Sequence, residues 1–157
     1  MSKERVKEYF KQYGIEKRIQ EFDDSSATVE LAAIRLGCEP SRIAKTLAFK
    51  VEERTILIVA AGDTKIDNAK YKLEFGAKAG MLAKEDLEEK VGHKVGGVCP
   101  FAIKENVEVY LDESLKRFET IFPACGAENN AIELSISELE KYSNYIKWID
   151  VCKGTIE

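Results

Sequence analysis

The spacing of apolar positions along this chain switches between a helical period and a strand period. Helical spacing predicts a helix over residues 3–13, which Gly14 ends. Residues 43–51 and 55–61 are β-rich apolar runs of strand length, and the acidic stretch 52–54 between them is typical of a hairpin turn. The first half of the chain therefore combines an N-terminal helix with a β-hairpin.

The same pattern predicts further elements without a regular alternation of strand and helix. The turn-like residues 23–26 predict a helix N-terminus. Such irregular order favours an α+β fold, with one mixed or antiparallel barrel-like sheet flanked by helices, over a doubly wound fold. We expect helices over 27–36, 65–75 and 84–91 and a helix capped by Ser137, with strands at 18–22, 107–111, 120–124, 132–136 and 145–151.

Length and composition are those of an ordinary globular protein. The chain has 157 residues, of which 45% are hydrophobic and 33% charged, enough for one domain with a sizeable core. No apolar run approaches the roughly 20 residues that span a bilayer. The charged segment 1–5 lacks the apolar stretch of a secretory signal, so we expect a cytoplasmic protein without a membrane partner.

The net charge of −4 argues against a protein that clamps long nucleic acids such as DNA. The charge is uneven, because residues 1–80 carry 15 Lys and Arg against 13 Asp and Glu, whereas the remainder carries 9 against 15. A nucleic-acid partner that touches mainly the first half through few phosphates remains compatible with this distribution.

The four cysteines are far apart, form no CxxC pair and are accompanied by a single histidine, His93. This arrangement favours reduced thiols over a disulfide framework, and it does not favour a zinc site. Cys99 and Cys125 stand in loops that are of interest for function.

The segment Gly96-Gly97-Val98-Cys99-Pro100 is the most informative loop. Paired glycines allow a backbone to approach a ligand closely, and the proline fixes the exit of the loop. Lys45 lies upstream in an otherwise apolar strand. Together these features indicate a site for an anionic or carbonyl-bearing ligand.

Three motifs in order resemble the YbaK/prolyl-tRNA-synthetase-associated editing family. They are residues 44–47 (AKTL), 96–100 (GGVCP) and 118–134, which includes Gly126. The resemblance covers nearly the whole chain, so it implies one editing domain over residues 1–157. Members of that family hydrolyse the ester between a wrongly attached amino acid and the 3′ end of tRNA.

The resemblance implies a trans-acting deacylase of mischarged tRNA, with tRNA-Pro carrying Cys or Ala as the first candidate, no metal and no organic cofactor. Prolyl-tRNA synthetase is a further expected partner. Lys45 matches the central lysine of the family and, with the N–H groups of Gly96 and Gly97, is expected to act on the ester. Residues expected to contact the substrate are Thr46, His93, Val98, Cys99, Pro100, Cys125 and Gly126.

Two other interpretations remain open from the residues alone. In the family that the chain resembles, many members have Ser at the position of Cys99 and Gly at that of Ala102, some have Asp or His at that of Ala131, and the later loop is often richer in Gly and basic residues. This depleted loop supports a non-catalytic module that binds tRNA or a synthetase. Cys99, with His93 six residues upstream, also allows a thiol hydrolase, although a buried cysteine is more often a small apolar residue. Since no general base is evident, our preferred mechanism is assisted by the substrate, through the tRNA 2′-OH or the amino-acid side chain.

Overall fold

The computed structural model describes residues 2–23 and 28–154, and it has the predicted α+β fold. Most of the predicted turn at 23–26 and the start of the helix at 27–36 lie outside these ranges. The helices are α1 (Ser2–Lys11), α2 (Val29–Leu36), α3 (Asn68–Phe75), α4 (Leu87–Lys90) and α5 (Ile136–Ser143), with 3-10 turns at Glu16–Arg18, Pro40–Arg42, Lys84–Asp86 and Glu113–Arg117. The strands are β1 (Gln20–Glu21), β2 (Ile43–Val51), β3 (Arg54–Ala61), β4 (Thr64–Ile66), β5 (Glu108–Asp112), β6 (Thr120–Pro123), β7 (Asn130–Ala131), β8 (Leu134–Ser135), β9 (Lys147–Ile149) and β10 (Cys152–Gly154).

A curled six-stranded sheet of order β8-β6-β2-β3-β5-β9 forms the centre of the molecule. The β2–β3 hairpin is antiparallel, whereas β6 joins β2 and β5 joins β3 in parallel, so the sheet is mixed. Two short pairs, β1–β7 and β4–β10, complete the strands. The predicted hairpin and mixed sheet are therefore confirmed.

Strand β3 is buried on both faces, which explains its continuous apolar run. On one face Leu57 and Val59 pack into the main core with α1 and α5. On the other face Ile56 and Ile58 pack with Tyr71 of α3. Because both faces are covered, this strand shows no polar alternation in the sequence.

Several predicted elements differ from the structure. The strand expected over 132–136 is reduced to β8, because α5 already begins at Ile136, and the helix expected over 84–91 begins with a 3-10 turn. The helix expected over 65–75 begins only at Asn68, because its first residues pair with β10 as strand β4 and Asp67 caps the helix. Ser137 is not the cap of the last helix. Ser135 caps it instead, since its hydroxyl accepts a hydrogen bond from Glu138 N–H, and the Glu138 carboxylate accepts one from Ser135 N–H.

Helix α1 is fixed to the rest of the molecule through the buried His93. The Ser2 hydroxyl contacts His93 Nδ1, and His93 Nε2 lies 2.7 Å from the Phe101 carbonyl oxygen. A carbonyl only accepts, so Nε2 carries the proton and Nδ1 accepts from Ser2. Burial lowers the pKa of His93 and thereby favours this neutral ring.

None of the helices within residues 2–23 and 28–154 is both long and apolar enough to cross a membrane.

The capping box gives a direct test of the last helix. Ser135→Ala removes the hydroxyl that accepts from Glu138 N–H, so we expect it to lower the free energy of unfolding by about 1 kcal/mol. Ser137 is exposed in the first turn, and its hydroxyl lies 3.2 Å from that of Ser135 but does not form the cap, so Ser137→Ala is the control, with a change below about 0.5 kcal/mol. Urea titration of both variants distinguishes the two caps, and equal losses would contradict the assignment.

His93 makes the stability depend on pH. Its folded-state pKa lies below the ordinary value of 6.5, so below that pH the unfolded chain takes up a proton that the folded chain does not. We expect the free energy of unfolding to fall by about 1 kcal/mol between pH 7 and pH 5.5. Urea titrations across this range test it, and His93→Gln, which does not titrate there, should flatten the dependence. An equal slope in the variant would rule out His93 as the source.

Candidate functional site

A cavity of about 370 Å³ lies beside strand β2. Its walls come from α2, from β2, from the end of β6, and from three loops around Met81, Gly96 and Glu128. Most of the lining side chains are apolar. The polar lining side chains are those of Thr28, Lys45, Thr46, Lys84, Glu128 and Asn130.

The cavity exists because one edge of β2 lacks a neighbouring strand over part of its length. Strand β6 pairs with β2 only at Ile43 and Ala44. Farther along the same edge, Leu82 N–H donates to the Ala48 carbonyl and Lys50 N–H donates to the Gly80 carbonyl. Between these two contacts, no strand of the described residues covers residues 45–47 on this side.

The open edge brings both faces of β2 to one cavity. Consecutive strand residues face opposite sides, and Thr46 accordingly shares the side of Ala44 and Ala48, whereas Lys45 shares that of Leu47. Both Lys45 and Thr46 nevertheless line the cavity. Alternate residues of a strand direct their backbone N–H and C=O groups to the same edge. Since the Ala48 C=O and the Lys50 N–H point to this edge, the N–H and C=O of Thr46 point there as well.

Lys45 is a half-buried cation whose ammonium contacts a backbone carbonyl. Its Nζ donates a hydrogen bond to the Thr64 carbonyl oxygen, at the start of β4. Burial lowers the pKa of Lys45, and the nearby Cys152 and Asp63 oppose this shift. The ammonium is therefore partly stripped of water, which strengthens its attraction for any negative charge in the cavity.

Thr46 presents a hydroxyl without a partner. Its Oγ1 is buried and makes no hydrogen bond within the described part of the chain. An unsatisfied buried hydroxyl costs about 1–3 kcal/mol, so a new hydrogen-bond partner for Thr46 Oγ1 would recover part of this cost.

The glycine loop and the loop after β6 touch through their backbones. A Cβ on Gly97 would lie 2.7 Å from the carbonyl carbon and oxygen of Gly126, so only glycine fits there. A Cβ on Gly96 would lie 2.9 Å from Glu128 Oε2. Within the turn, Gly97 N–H donates to the Lys94 carbonyl, and Gly96 lines the cavity.

Of the ten residues predicted for the site, Lys45, Thr46, Gly96 and Val98 line the cavity. The other six are buried behind its wall, where they support the two loops. These six are Gly97, His93, Cys99, Pro100, Cys125 and Gly126.

Cys99 has an environment unlike that of a reactive thiol. Its Sγ lies 3.4 Å from His93 Nε2, but this nitrogen carries the proton that is donated to Phe101. His93 in this tautomer cannot take the proton of Cys99. Burial raises the pKa of Cys99 to about 12, opposite to the shift that activates a nucleophilic cysteine.

Several lining residues were not among the predicted site residues. Helix α2 contributes Val29 and Ala32 to the lining. In the sequence these are ordinary apolar positions of an amphipathic helix, so they do not indicate a site. Glu128 lies two residues after Gly126 in the sequence. This proximity to a predicted site residue could have indicated that Glu128 lines the cavity. Asn130 holds its own loop, since its side-chain amide bonds to both backbone groups of Cys125.

Within the described residues, no three His, Cys, Asp or Glu side chains are grouped as potential ligands of a metal ion.

Known proteins similar to this chain include both free-standing proteins and a synthetase. A Bacillus subtilis (strain 168) protein, the uncharacterised YwhH, is 54% identical over 154 residues, which cover 98% of either chain. A proline--tRNA ligase of Bacillus cytotoxicus is 33% identical over 105 residues, and the match covers 66% of this chain and 18% of the ligase. Similarity to the ligase is thus confined to a small part of its length.

Solved structures have the same fold over nearly the whole chain. A candidate trans-editing enzyme for prolyl tRNA synthetase superposes with a TM-score of 0.87 and 25% identity, covering 98% of both chains. A hypothetical protein, APE2540, superposes with a TM-score of 0.83 and 27% identity, covering 95% of this chain and 99% of the other. A profile of the aminoacyl-tRNA editing domain matches residues 23–142, which is more than half of the sequence. The chain therefore belongs to the aminoacyl-tRNA editing domain family.

Proposed function

We propose that this protein is a trans-acting hydrolase that cleaves the ester of mischarged tRNA. The preferred substrate is tRNA-Pro that carries a small amino acid such as Cys or Ala. The observation that carries the proposal is the cavity at the open edge of β2, where a partly desolvated ammonium, an unpartnered hydroxyl and a glycine loop converge. Family membership supplies the substrate class.

In this proposal Lys45 provides the positive charge. Attack on an ester carbonyl places negative charge on its oxygen, and a cation in a partly dry cavity stabilises that charge strongly. The Nζ can alternatively hold the ribose or the terminal phosphate, because a lysine acts as a point charge on a flexible stem. Its contact with the Thr64 carbonyl sets its resting position.

Backbone and hydroxyl groups complete the proposed site. The Gly96 N–H is our candidate for a second donor to the developing oxyanion. Gly97 contributes by letting its loop touch Gly126, since its own N–H is bonded to the Lys94 carbonyl. In this proposal polar atoms of the aminoacyl ester bind the Thr46 hydroxyl, which has no partner among the described residues, and the Thr46 backbone at the open edge of β2.

The attacking water is activated by the substrate in our proposal. An aminoacyl ester is already reactive, so a positioned water and the neighbouring 2′-OH of the terminal ribose suffice without a protein base. The thiol route through Cys99 is disfavoured by the burial of Cys99 and its raised pKa.

We propose that the protein acts in the cytoplasm and that its partners are mischarged tRNA and prolyl-tRNA synthetase. The similarity of part of the chain to a proline--tRNA ligase supports this relationship. A non-catalytic module that binds tRNA or a synthetase is the second candidate, and it is favoured by Ala131, which gives the cavity wall an apolar methyl group in place of a titratable side chain.

Removal of the Lys45 ammonium tests the proposal. We expect Lys45→Ala to lower kcat/KM for Ala-tRNA-Pro or Cys-tRNA-Pro by about 100-fold or more, because one charged donor to the oxyanion is lost. Lys50, on the same strand but exposed and outside the cavity, is the matched control, and Lys50→Ala should retain full activity. Single-turnover deacylation of mischarged tRNA measures both.

Two results would contradict the proposal in different ways. Equal deacylation by Lys45→Ala and the wild type would mean that the site lies elsewhere. Wild-type protein that binds charged tRNA but hydrolyses no ester in a panel with Ala, Cys, Ser and Pro would favour the non-catalytic module.

Thr46→Val tests the hydroxyl separately from the fold. Valine has nearly the same shape and removes an unsatisfied buried polar atom, so the free energy of unfolding should stay constant or rise by about 1 kcal/mol. We expect kcat/KM for deacylation to fall about tenfold, since the ligand loses one hydrogen bond in a water-poor cavity. Urea titration with kinetics checks both, and unchanged kinetics would remove Thr46 from the proposed site.

A further inference from the structure

Charged side chains of both signs line the cavity. Among the described residues that line it, the cations are Lys45 and Lys84 and the one acid is Glu128. The substrate class of the proposed function also has both signs, because its phosphates are negative and the α-amino group of an unblocked aminoacyl ester is an ammonium near neutral pH. The two lysines complement the negative charge of the phosphates, so the α-ammonium of the substrate needs a negatively charged partner.

Glu128 is held beside the part of the cavity where the ester is proposed to react. Its Oε2 would lie 2.9 Å from a Cβ on Gly96, so the absence of a side chain at Gly96 makes room for the carboxylate. The close backbone contact between Gly97 and Gly126 fixes the position of this loop relative to the glycine loop. Glu128 is itself exposed at the rim, where an incoming substrate can reach it.

The covalent geometry of the ligand fits this placement. In an aminoacyl ester the α-nitrogen lies about 2.5 Å from the carbonyl carbon, because only the α-carbon separates them. An ester whose carbonyl oxygen accepts from Gly96 N–H therefore has its ammonium close to the loop that carries Glu128. A carboxylate and an ammonium then form a charge-assisted hydrogen bond.

We propose that Glu128 binds the α-ammonium of the aminoacyl group, so that the site selects esters with a free α-amine over N-acylated esters. This inference rests on the proposed deacylase function and adds a second level of selectivity to it. N-acylated esters, which include peptidyl esters of tRNA, lack the cation and lose this contact. A hydrolase with this selectivity removes mischarged amino acids without cleaving growing chains.

The experiment compares two matched pairs of substrates. The kcat/KM of wild type, Glu128→Gln and Glu105→Gln is measured on Ala-tRNA-Pro and Cys-tRNA-Pro and on their N-acetyl counterparts. Glu105 is exposed and outside the cavity, which makes it the control. Glu128→Ala is a second uncharged variant, and urea titration verifies that each variant is folded.

We expect the wild type and Glu105→Gln to prefer the free amine by about tenfold or more. Both Glu128 variants should lose about tenfold on the free-amine esters and retain their rate on the N-acetyl esters, so that the preference disappears. This selective loss distinguishes recognition of the ammonium from a merely structural role.

Other outcomes overturn the inference. An equal loss of kcat/KM on both kinds of ester would mean that Glu128 only stabilises the loop. An unchanged preference for the free amine in the Glu128 variants would exclude Glu128 from amine recognition. Hydrolysis of free and acetylated esters at equal rates by the wild type would refute the inference while the deacylase function stands. Wild-type protein that hydrolyses none of the four esters would refute the proposed deacylation of these substrates and the inference with it.

Discussion

The early end of the pairing between β2 and β6 is the constraint on which the candidate site depends. After Ala44 the two strands separate, and β2 is covered on that edge again only where Ala48 accepts from Leu82. An exposed strand edge presents unpaired backbone groups and lets side chains of both faces reach the same space. The cavity and the access of Lys45 to it follow from this gap, and the Thr46 hydroxyl, which has no hydrogen-bond partner among the described residues, lies at the same place.

The opposite wall of the cavity depends on backbone contact. Gly97 and Gly126, which are far apart in sequence, come so close that a side chain on Gly97 would collide with the other loop. Behind them, His93 binds Ser2 of α1 and the Phe101 carbonyl. The polar and sulfur atoms of this region therefore stabilise the wall, and the other side of the wall faces the cavity.

Burial has opposite consequences for the two chemical groups that first attract attention. It disfavours the charge on both Lys45 and Cys99, but Lys45 keeps an acceptor in the Thr64 carbonyl and borders the cavity, whereas Cys99 is enclosed. A lysine in such surroundings attracts negative charge more strongly, and an enclosed thiol becomes less acidic. The same physical effect thus favours electrostatic catalysis and disfavours thiol chemistry.

Local sequence was sufficient to predict β2 with its bounds, the hairpin, the glycine that ends α2 and the family that the motifs indicate. It failed where a distant partner decided the outcome: β10 converts residues 64–66 into a strand, and β8 positions Ser135 rather than Ser137 as the cap. The sequence by itself also determined that Lys45 and Thr46 are neighbours on opposite faces of a strand. Only the tertiary structure decided that both reach one cavity, beside Gly96 and Glu128, because that depends on where β6 leaves β2.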